Sequence, residues 1–271
     1  KDHPSLSGGP DGATGFIGKN LVERFSKRSQ YTVRAVYNRK APLVNHDVEW
    51  VKADLNNVSD VRKAMKGVDI VLQFAATTSG ANDIINRPYI HVTDNAVMNS
   101  LLLREAFENE VEHFIFPSCT VMYQPNSVAT KESDFDGNHR LLSKYFGVGN
   151  TKVYIEKMCD FYGKLGKTKH TVLRQSNIYG PGDKFDLKKS HVFGATITKV
   201  MTNNEIINVW GPGTETRDFL YIDDLLNFID LALEKQESNY ELFNVGMKHQ
   251  LKNWWKQLLM SLEKVFRLSM T

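Results

Sequence analysis

A chain of 271 residues with 41% apolar and 24% charged residues has ordinary globular make-up. It is long enough to bury about 70–75% of its unfolded surface, so it needs no disulfide or metal staple. The 34 basic and 31 acidic residues leave a net charge of +3, which excludes a polycation built to grip nucleic-acid backbone. The two cysteines, Cys119 and Cys159, lack metal-ligand spacing, and no stretch approaches roughly 18 uninterrupted apolar residues. Lys1-Asp2-His3-Pro4 carries no apolar secretory signal. The expectation is a soluble protein of a reducing compartment, the cytoplasm, without metal, membrane or nucleic-acid partner.

Residues 1–11 contain two prolines, two glycines and hardly any β-former, and so read poorly as a strand. Gly12-Ala13-Thr14-Gly15-Phe16-Ile17-Gly18 then spaces glycines three apart and runs into an amphipathic helix expected over Phe16 to Ser29. Glycines there let the backbone turn tightly against a pyrophosphate, the last lets the helix pack on a sheet, and the helix N-terminus faces the anion. Strands are expected at Thr32 to Tyr37, Glu49 to Ala53, Asp69 to Ala75, His113 to Pro117 and His170 to Leu173. Helices are expected at Val58 to Met65, Ala96 to Asn109 and Lys152 to Lys164. Apolar strands alternating with helices predict an α/β fold, a doubly wound, Rossmann-like parallel sheet with ligands at the carboxyl ends of its strands. After Arg174 the rhythm weakens and Gly180, Pro181, Gly182, Gly211, Pro212 and Gly213 punctuate the chain. A dinucleotide-binding domain is placed at residues 1–174 plus about 220–233, and a smaller substrate lobe at 175–219 and 234–271. Lys252 to Thr271 reads as one amphipathic helix, and the lobe as truncated.

An acidic residue about 20 positions past the glycines would bond the ribose of NAD. Here the strand ends in Tyr37-Asn38-Arg39-Lys40, which is positive and suits the 2′-phosphate of NADP, with NAD the alternative. Asp54 is a candidate for the adenine amino group, or a turn residue. The central strand expected before the glycines is missing from this reading, and Asp11 brings negative charge toward the phosphate.

These residues resemble the extended short-chain dehydrogenase/reductase family of nucleotide-sugar epimerases, dehydratases and reductases. The resemblance rests on Gly12 to Gly18, Asp54-Leu55, Phe74-Ala75-Ala76, Arg174 with Asn177-Ile178-Tyr179-Gly180-Pro181-Gly182, and Arg217-Asp218-Phe219-Leu220-Tyr221-Ile222-Asp223-Asp224. Together they span about residues 12 to 246. Tyr179 to Phe185 running to Ser190-His191-Val192, and Val209 to Thr214 running to Arg217, are similar to the GDP-L-fucose synthases, NADP-dependent 3,5-epimerase/4-reductases. That likeness implies Gly12, Thr14, Gly15, Phe16, Ile17, Gly18, Asn38, Arg39, Asp54, Leu55, Ala75, Ala76 and Lys152 for the cofactor. It implies His191 as a proton donor, and Asn177, Lys199, Trp210 and Arg217 for a nucleoside-diphosphate sugar. A homodimer through Ala96 to Asn109 and Lys152 to Lys164 is also implied.

The family places a tyrosine four residues before a lysine that lowers its pKa. None of the ten tyrosines here has lysine at that spacing, and matching Lys152 to the family lysine puts Val148 in the tyrosine's place. Tyr145, seven residues before Lys152, is the candidate substitute, although Gly147 and Gly149 weaken the intervening helix. Counting back from Tyr123 puts Cys119, flanked by Ser118 and Thr120, where the family bonds the sugar's reacting oxygen. Fucose synthases carry a cysteine in this segment as the epimerisation base, and Cys119 would need a cation such as His191 or Lys152 to ionise. Thr120-Val121-Met122 lacks the carboxylates of the dehydratases. Two readings stand: an epimerase/reductase, or a nucleotide-sugar or dinucleotide-binding protein impaired by the lost tyrosine.

Overall fold

The computed structural model describes residues 4–8, 12–42, 47–77, 86–126, 128–185, 190, 192–202, 206–209, 216–250 and 267–270. Its centre is a seven-stranded sheet. The strands are β1 (Pro4–Gly8), β2 (Val33–Tyr37), β3 (Val48–Lys52), β4 (Ile70–Phe74), β5 (His113–Cys119), β6 (Lys169–Gln175) and β10 (Tyr240–Val245). They lie in the order β10-β6-β5-β4-β1-β2-β3, with every pairing parallel. The order reverses between β1 and β4, which is the switch point where such sheets open a crevice at their carboxyl ends. β7 (Asn177–Tyr179), β9 (Thr216–Tyr221) and β11 (Met247–Gln250) form a second sheet, and β8 (Ile206–Val209) pairs with β12 (Arg267–Met270).

Helices cover both faces because side chains alternate along each strand. Leu72, Ile115 and Leu173 pack with α1 (Phe16–Ser26) and with the helix Ile222–Lys235, here α6. Val71, Phe114 and Val172 face the other layer, α2 (Val58–Met65), α3 (Thr93–Glu108) and α4 (Phe146–Lys164). α5 (Val192–Thr202) belongs to the region after β6. Local chemistry sets the ends: Asn57 caps α2 by accepting from the Ser59 and Asp60 amides at 2.9 and 3.3 Å. Arg28, just past the end of α1, reaches Asp230 on α6 at 2.7 Å.

Several expectations change. The stretch judged too rich in proline and glycine does form the central strand: β1 sits between β4 and β2, with Leu6 opposite both Leu72 and Ala35. Pro4 opens the strand and Gly8 closes it, so neither interrupts the ladder from within. α1 ends at Ser26 rather than Ser29. α4 begins at Phe146, six residues before the expected start, and passes through Gly147 and Gly149. A Cβ on Gly149 would lie 2.8 Å from Leu141 Cδ1, and one on Gly147 3.0 Å from Val92 Cγ2. The missing side chains thus let this end of the helix pack closely. Tyr240–Val245, assigned to the smaller lobe, instead extends the main sheet beside β6. Arg267–Met270 is a strand rather than the end of a helix, and residues 251–266 lie outside the described residues.

Candidate active site

The glycine turn lies at the carboxyl edge beside β2. Gly12 has φ +60°, and a Cβ there would stand 2.2 Å from Val36 O and 2.9 Å from Tyr37 Cα, so only glycine fits. A Cβ on Gly18 would meet Gly12 O at 2.7 Å and Ala13 Cα at 2.8 Å, which shows how closely helix and turn approach. Gly15 caps α1 without a side-chain hydrogen bond, leaving the first-turn amides aimed at whatever occupies the turn. Phe16 and Ile17 are half-buried on that turn, and Thr14 is buried with its Oγ1 donating to Lys40 O at 3.3 Å. The loop Gly180–Gly182 borders the same end of α1, where Asn20 Nδ2 donates to Pro181 O at 3.1 Å.

Around this turn stand the other cofactor candidates. Asn38 is half-buried, and Arg39 and Lys40 are exposed just past β2. Ala75 is buried and Ala76 half-buried just past β4. Leu55 is buried, whereas exposed Asp54 accepts from the Asn56 amide at 3.0 Å and its own amide donates to Asp60 Oδ2 at 2.9 Å. Asp54 is thus engaged in the turn before α2. A cradle that a Cβ would fill, an uncapped helix N-terminus and small residues at the switch point together fit a dinucleotide.

The end of β5 carries the second group. Ser118 is buried, and its hydroxyl donates to Glu156 Oε1, which takes it away from a substrate. Glu156 is also paired with Arg174: Nη2 reaches Oε2 at 2.8 Å and Nε reaches Oε1 at 3.2 Å, both residues being 4% exposed. Burial opposes the Arg174 charge, but the bonds to Glu156 outweigh it and hold its pKa high. Arg174 Nη1 donates to the Tyr123 hydroxyl, which donates to Asn244 Oδ1, each at 2.7 Å. This network joins β5, α4, β6 and β10 beneath the crevice.

Cys119 and Thr120 are left half-buried at the strand's end. Burial pushes the Cys119 thiol up, and the Lys152 ammonium works against that rise. Lys152 Nζ donates to Pro117 O at 2.6 Å and lies 4.6 Å from the centre of the Phe116 ring. Burial lowers the Lys152 pKa, while Cys119 and Glu156 favour its charge. The arrangement can deliver a proton-exchanging thiol beside an ammonium.

Val148 and Lys152 share α4 one turn apart, so no phenol stands at the position facing the lysine. Tyr145 precedes the helix in the turn Ser143–Tyr145, and its ring lies 4.9 Å from Lys144 Nζ. It is the N-cap residue of α4, seven positions before Lys152 on the same helix. Asn177 is exposed at the start of β7, and Lys199 is half-buried on α5. His191 and Trp210 lie outside the described residues, as does the side chain of Arg217, whose backbone pairs with His249 in β9. The structure therefore brings the glycine turn, Lys152, Cys119 and Thr120 to one edge. Sequence reasoning missed Glu156 and its bonds to Ser118 and Arg174; the available signal was a carboxylate one turn after Lys152 together with an arginine in an apolar strand.

The NAD dependent epimerase/dehydratase family matches residues 12–246. The dTDP-4-dehydro-6-deoxy-D-allose reductase of a Streptomyces species is 29% identical over 89% of this chain and 76% of its own length. The GDP-L-fucose synthase of Azorhizobium caulinodans is 28% identical over 89% of this chain and 75% of its own. Among solved structures, UDP-glucuronic acid 4-epimerase from Bacillus cereus in complex with NAD superposes with a TM-score of 0.80 at 25% identity, covering 100% of this chain and 86% of that one. UDP-glucose 4-epimerase from Thermotoga maritima reaches a TM-score of 0.82 at 21% identity, over 100% and 85% of the two chains.

Proposed function

Because the chain belongs to the NAD dependent epimerase/dehydratase family, we propose that it is an NADP-dependent nucleotide-sugar epimerase/reductase of GDP-L-fucose synthase type. The observation that carries this reading is the Lys152 ammonium held at the end of β5 beside Cys119, on the carboxyl edge that also bears the Gly12 cradle. When bound, the nicotinamide supplies or accepts a hydride.

The residues of the chain do the rest. The Gly12–Gly18 turn and the α1 N-terminus hold the pyrophosphate. Arg39 and Lys40 receive the 2′-phosphate, and Ala75 and Ala76 leave room at the switch point. Lys152 orients the nicotinamide ribose. Thr120 donates to the reacting sugar oxygen, and Cys119 removes a proton next to the carbonyl, its thiolate favoured by Lys152. His191 returns a proton on the opposite face, while Asn177, Lys199, Trp210 and Arg217 hold the nucleoside diphosphate and sugar. Relatives named as reductases and epimerases of dTDP- and GDP-sugars support this substrate class. NAD is the alternative cofactor, since the Bacillus cereus relative is solved with it.

A homodimer accompanies this reading. Val97 on α3 and Tyr154 and Phe161 on α4 are 41%, 42% and 50% exposed, and Ser100 and Tyr154 hydrogen-bond across the two helices at 3.0 Å. The two helices thus present a partly apolar surface to a second copy.

The experiment is to add NADPH and a GDP-4-keto-6-deoxyhexose and follow loss of the nicotinamide absorbance. Turnover supports the reading; tight cofactor binding with no turnover removes the reductase. One observation favours a second reading, a nucleotide-sugar or dinucleotide-binding protein: Val148, not a tyrosine, stands one turn before Lys152 on α4. Val148→Tyr distinguishes them. A binding protein gains activity from the restored phenol, whereas an enzyme relying on another acid gains none.

A further inference from the structure

We propose that Asn20 is a positioning residue that seats residues 180–185, and with them helix α5, on the cofactor helix α1, so that filling the glycine turn orders the substrate side of the crevice. The inference rests on the nicotinamide-cofactor part of the function proposed above and extends it to a residue that no motif singled out.

Asn20 is half-buried on α1, two residues past Gly18. A carboxamide nitrogen carries two hydrogens, and here both are used. Nδ2 donates to Phe16 O, one turn back, at 2.9 Å and to Pro181 O, 161 positions further along the chain, at 3.1 Å. The first bond fixes the side chain to the turn whose amides face the phosphate site. The second carries that position to the loop after β7. The loop lies against this end of α1: a Cβ on Gly182 would stand 3.8 Å from Asn20 Nδ2 and 3.9 Å from Phe16 Cδ2. The Asp183 amide donates to Gly180 O at 3.2 Å, which closes the loop as a turn.

The far end of the loop is held by α5. Thr198 Oγ1 donates to Phe185 O at 2.6 Å, and a Cβ on Gly194 would stand 2.3 Å from Lys184 O, so helix and loop meet main chain to main chain. Ser190 Oγ donates to the same Lys184 O at 2.5 Å. Lys199 and His191, to which the proposed function gives the diphosphate and the proton, are the sequence neighbours of Thr198 and Ser190. Residues 180–185 thus join the cofactor helix to the substrate side through carbonyls whose positions side-chain donors fix. The bond from Asn20 to Pro181 forms only when the first turn of α1 and the loop are both in place, so a ligand that holds the turn favours the seated loop by linkage. One neutral hydrogen bond shifts such an equilibrium by about two- to tenfold.

Hydrogen exchange read by mass spectrometry, with and without saturating NADPH, tests this in the full chain, in Asn20→Leu and in Asn20→Asp. Leucine and aspartate keep the size of asparagine and offer no side-chain N–H. In the wild type NADPH is expected to slow exchange in residues 12–18 and, by about fivefold, in 180–185 and 192–202. In either variant the slowing at 12–18 is expected to remain, while that at 180–185 and 192–202 falls to about twofold or less. Wild-type slowing confined to 12–18 overturns the Asn20 assignment and leaves the cofactor reading standing. So does a variant whose loop loosens alike with and without NADPH but keeps the wild-type increment, because Asn20 is then merely structural. Absence of any slowing at 12–18 in the wild type overturns both. Asn20→Asp, the closer in shape, decides the matter if Asn20→Leu does not fold.

Discussion

Replacing Gly12 by alanine tests the phosphate turn against an internal control. Gly12 and Gly67 both sit in the left-handed region, at φ +60° and +67°, so alanine at either position carries the same backbone penalty of about 1–2 kcal/mol. Their surroundings differ completely. A Cβ at Gly67 meets nothing within 4 Å, whereas at Gly12 it would lie 2.2 Å from Val36 O, over 1 Å inside normal contact with a main chain that cannot rotate away. Overpacking of that kind adds about 1–3 kcal/mol, so Gly12→Ala should lose about 2–5 kcal/mol where Gly67→Ala loses about 1–2. Urea unfolding of both variants measures the difference, and calorimetric titration with NADPH should show binding lost in Gly12→Ala and kept in Gly67→Ala. Variants equal in stability to within about 0.5 kcal/mol, the usual scatter for uneventful substitutions, together with unchanged NADPH affinity, would refute the close approach.

Four further outcomes follow. Arg174→Met leaves the buried Glu156 carboxylate with Ser118 as its remaining partner among the described residues, and should cost about 3–5 kcal/mol in unfolding free energy; adding Glu156→Leu should restore most of it, and a double variant no better than the single would sink the argument. Burial, helped by the Lys169 charge, holds His113 neutral down to about pH 4, and burial, helped by His113, holds His170 neutral down to about pH 3. Since the unfolded histidines titrate near pH 6.5, stability is complete above that value and falls as pH drops toward 4, by up to about 1.4 kcal/mol per unit for each histidine; His170→Leu should flatten this slope in urea midpoints measured between pH 7 and 4. Arg39→Ala with Lys40→Ala should shift the ratio of NADPH to NADH affinity by about tenfold toward NADH, read by calorimetry. Lys152→Met should raise the apparent pKa of Cys119 further, so alkylation by iodoacetamide should need higher pH than in the wild type; an unchanged pH profile would remove Lys152 as its cation.

The apolar strands made the sheet legible. Val71-Leu72 and Phe114-Ile115-Phe116 alternate between two helix layers, and such near-continuous runs belong to a sheet covered on both sides. β1 was not legible, because Pro4, Ser5, Ser7 and Gly8 have weak strand propensity and join the sheet through main-chain bonds to strands on both sides. Gly147 and Gly149 misled in the opposite direction: their cost to a helix is met by close packing against Val92 and Leu141, contacts that no local rule reveals. At the site, the glycine turn could be read from spacing alone, since its constraint is local. The diversion of Ser118 to Glu156 could not, because it joins residues 38 positions apart on different elements. Nor could the start of α4 at Phe146, with Tyr145 as its N-cap, be read through two glycines.

The central claim is that the Gly12 turn and the Lys152 end of one crevice hold a nicotinamide dinucleotide between them. Titrating the protein into NADPH and recording the nicotinamide fluorescence tests it most directly. The account predicts an increase that saturates at one cofactor per chain and is abolished by Gly12→Ala. Fluorescence that stays flat with cofactor up to about 1 mM, the upper end of ordinary enzyme affinities, in wild-type protein that unfolds cooperatively would contradict it.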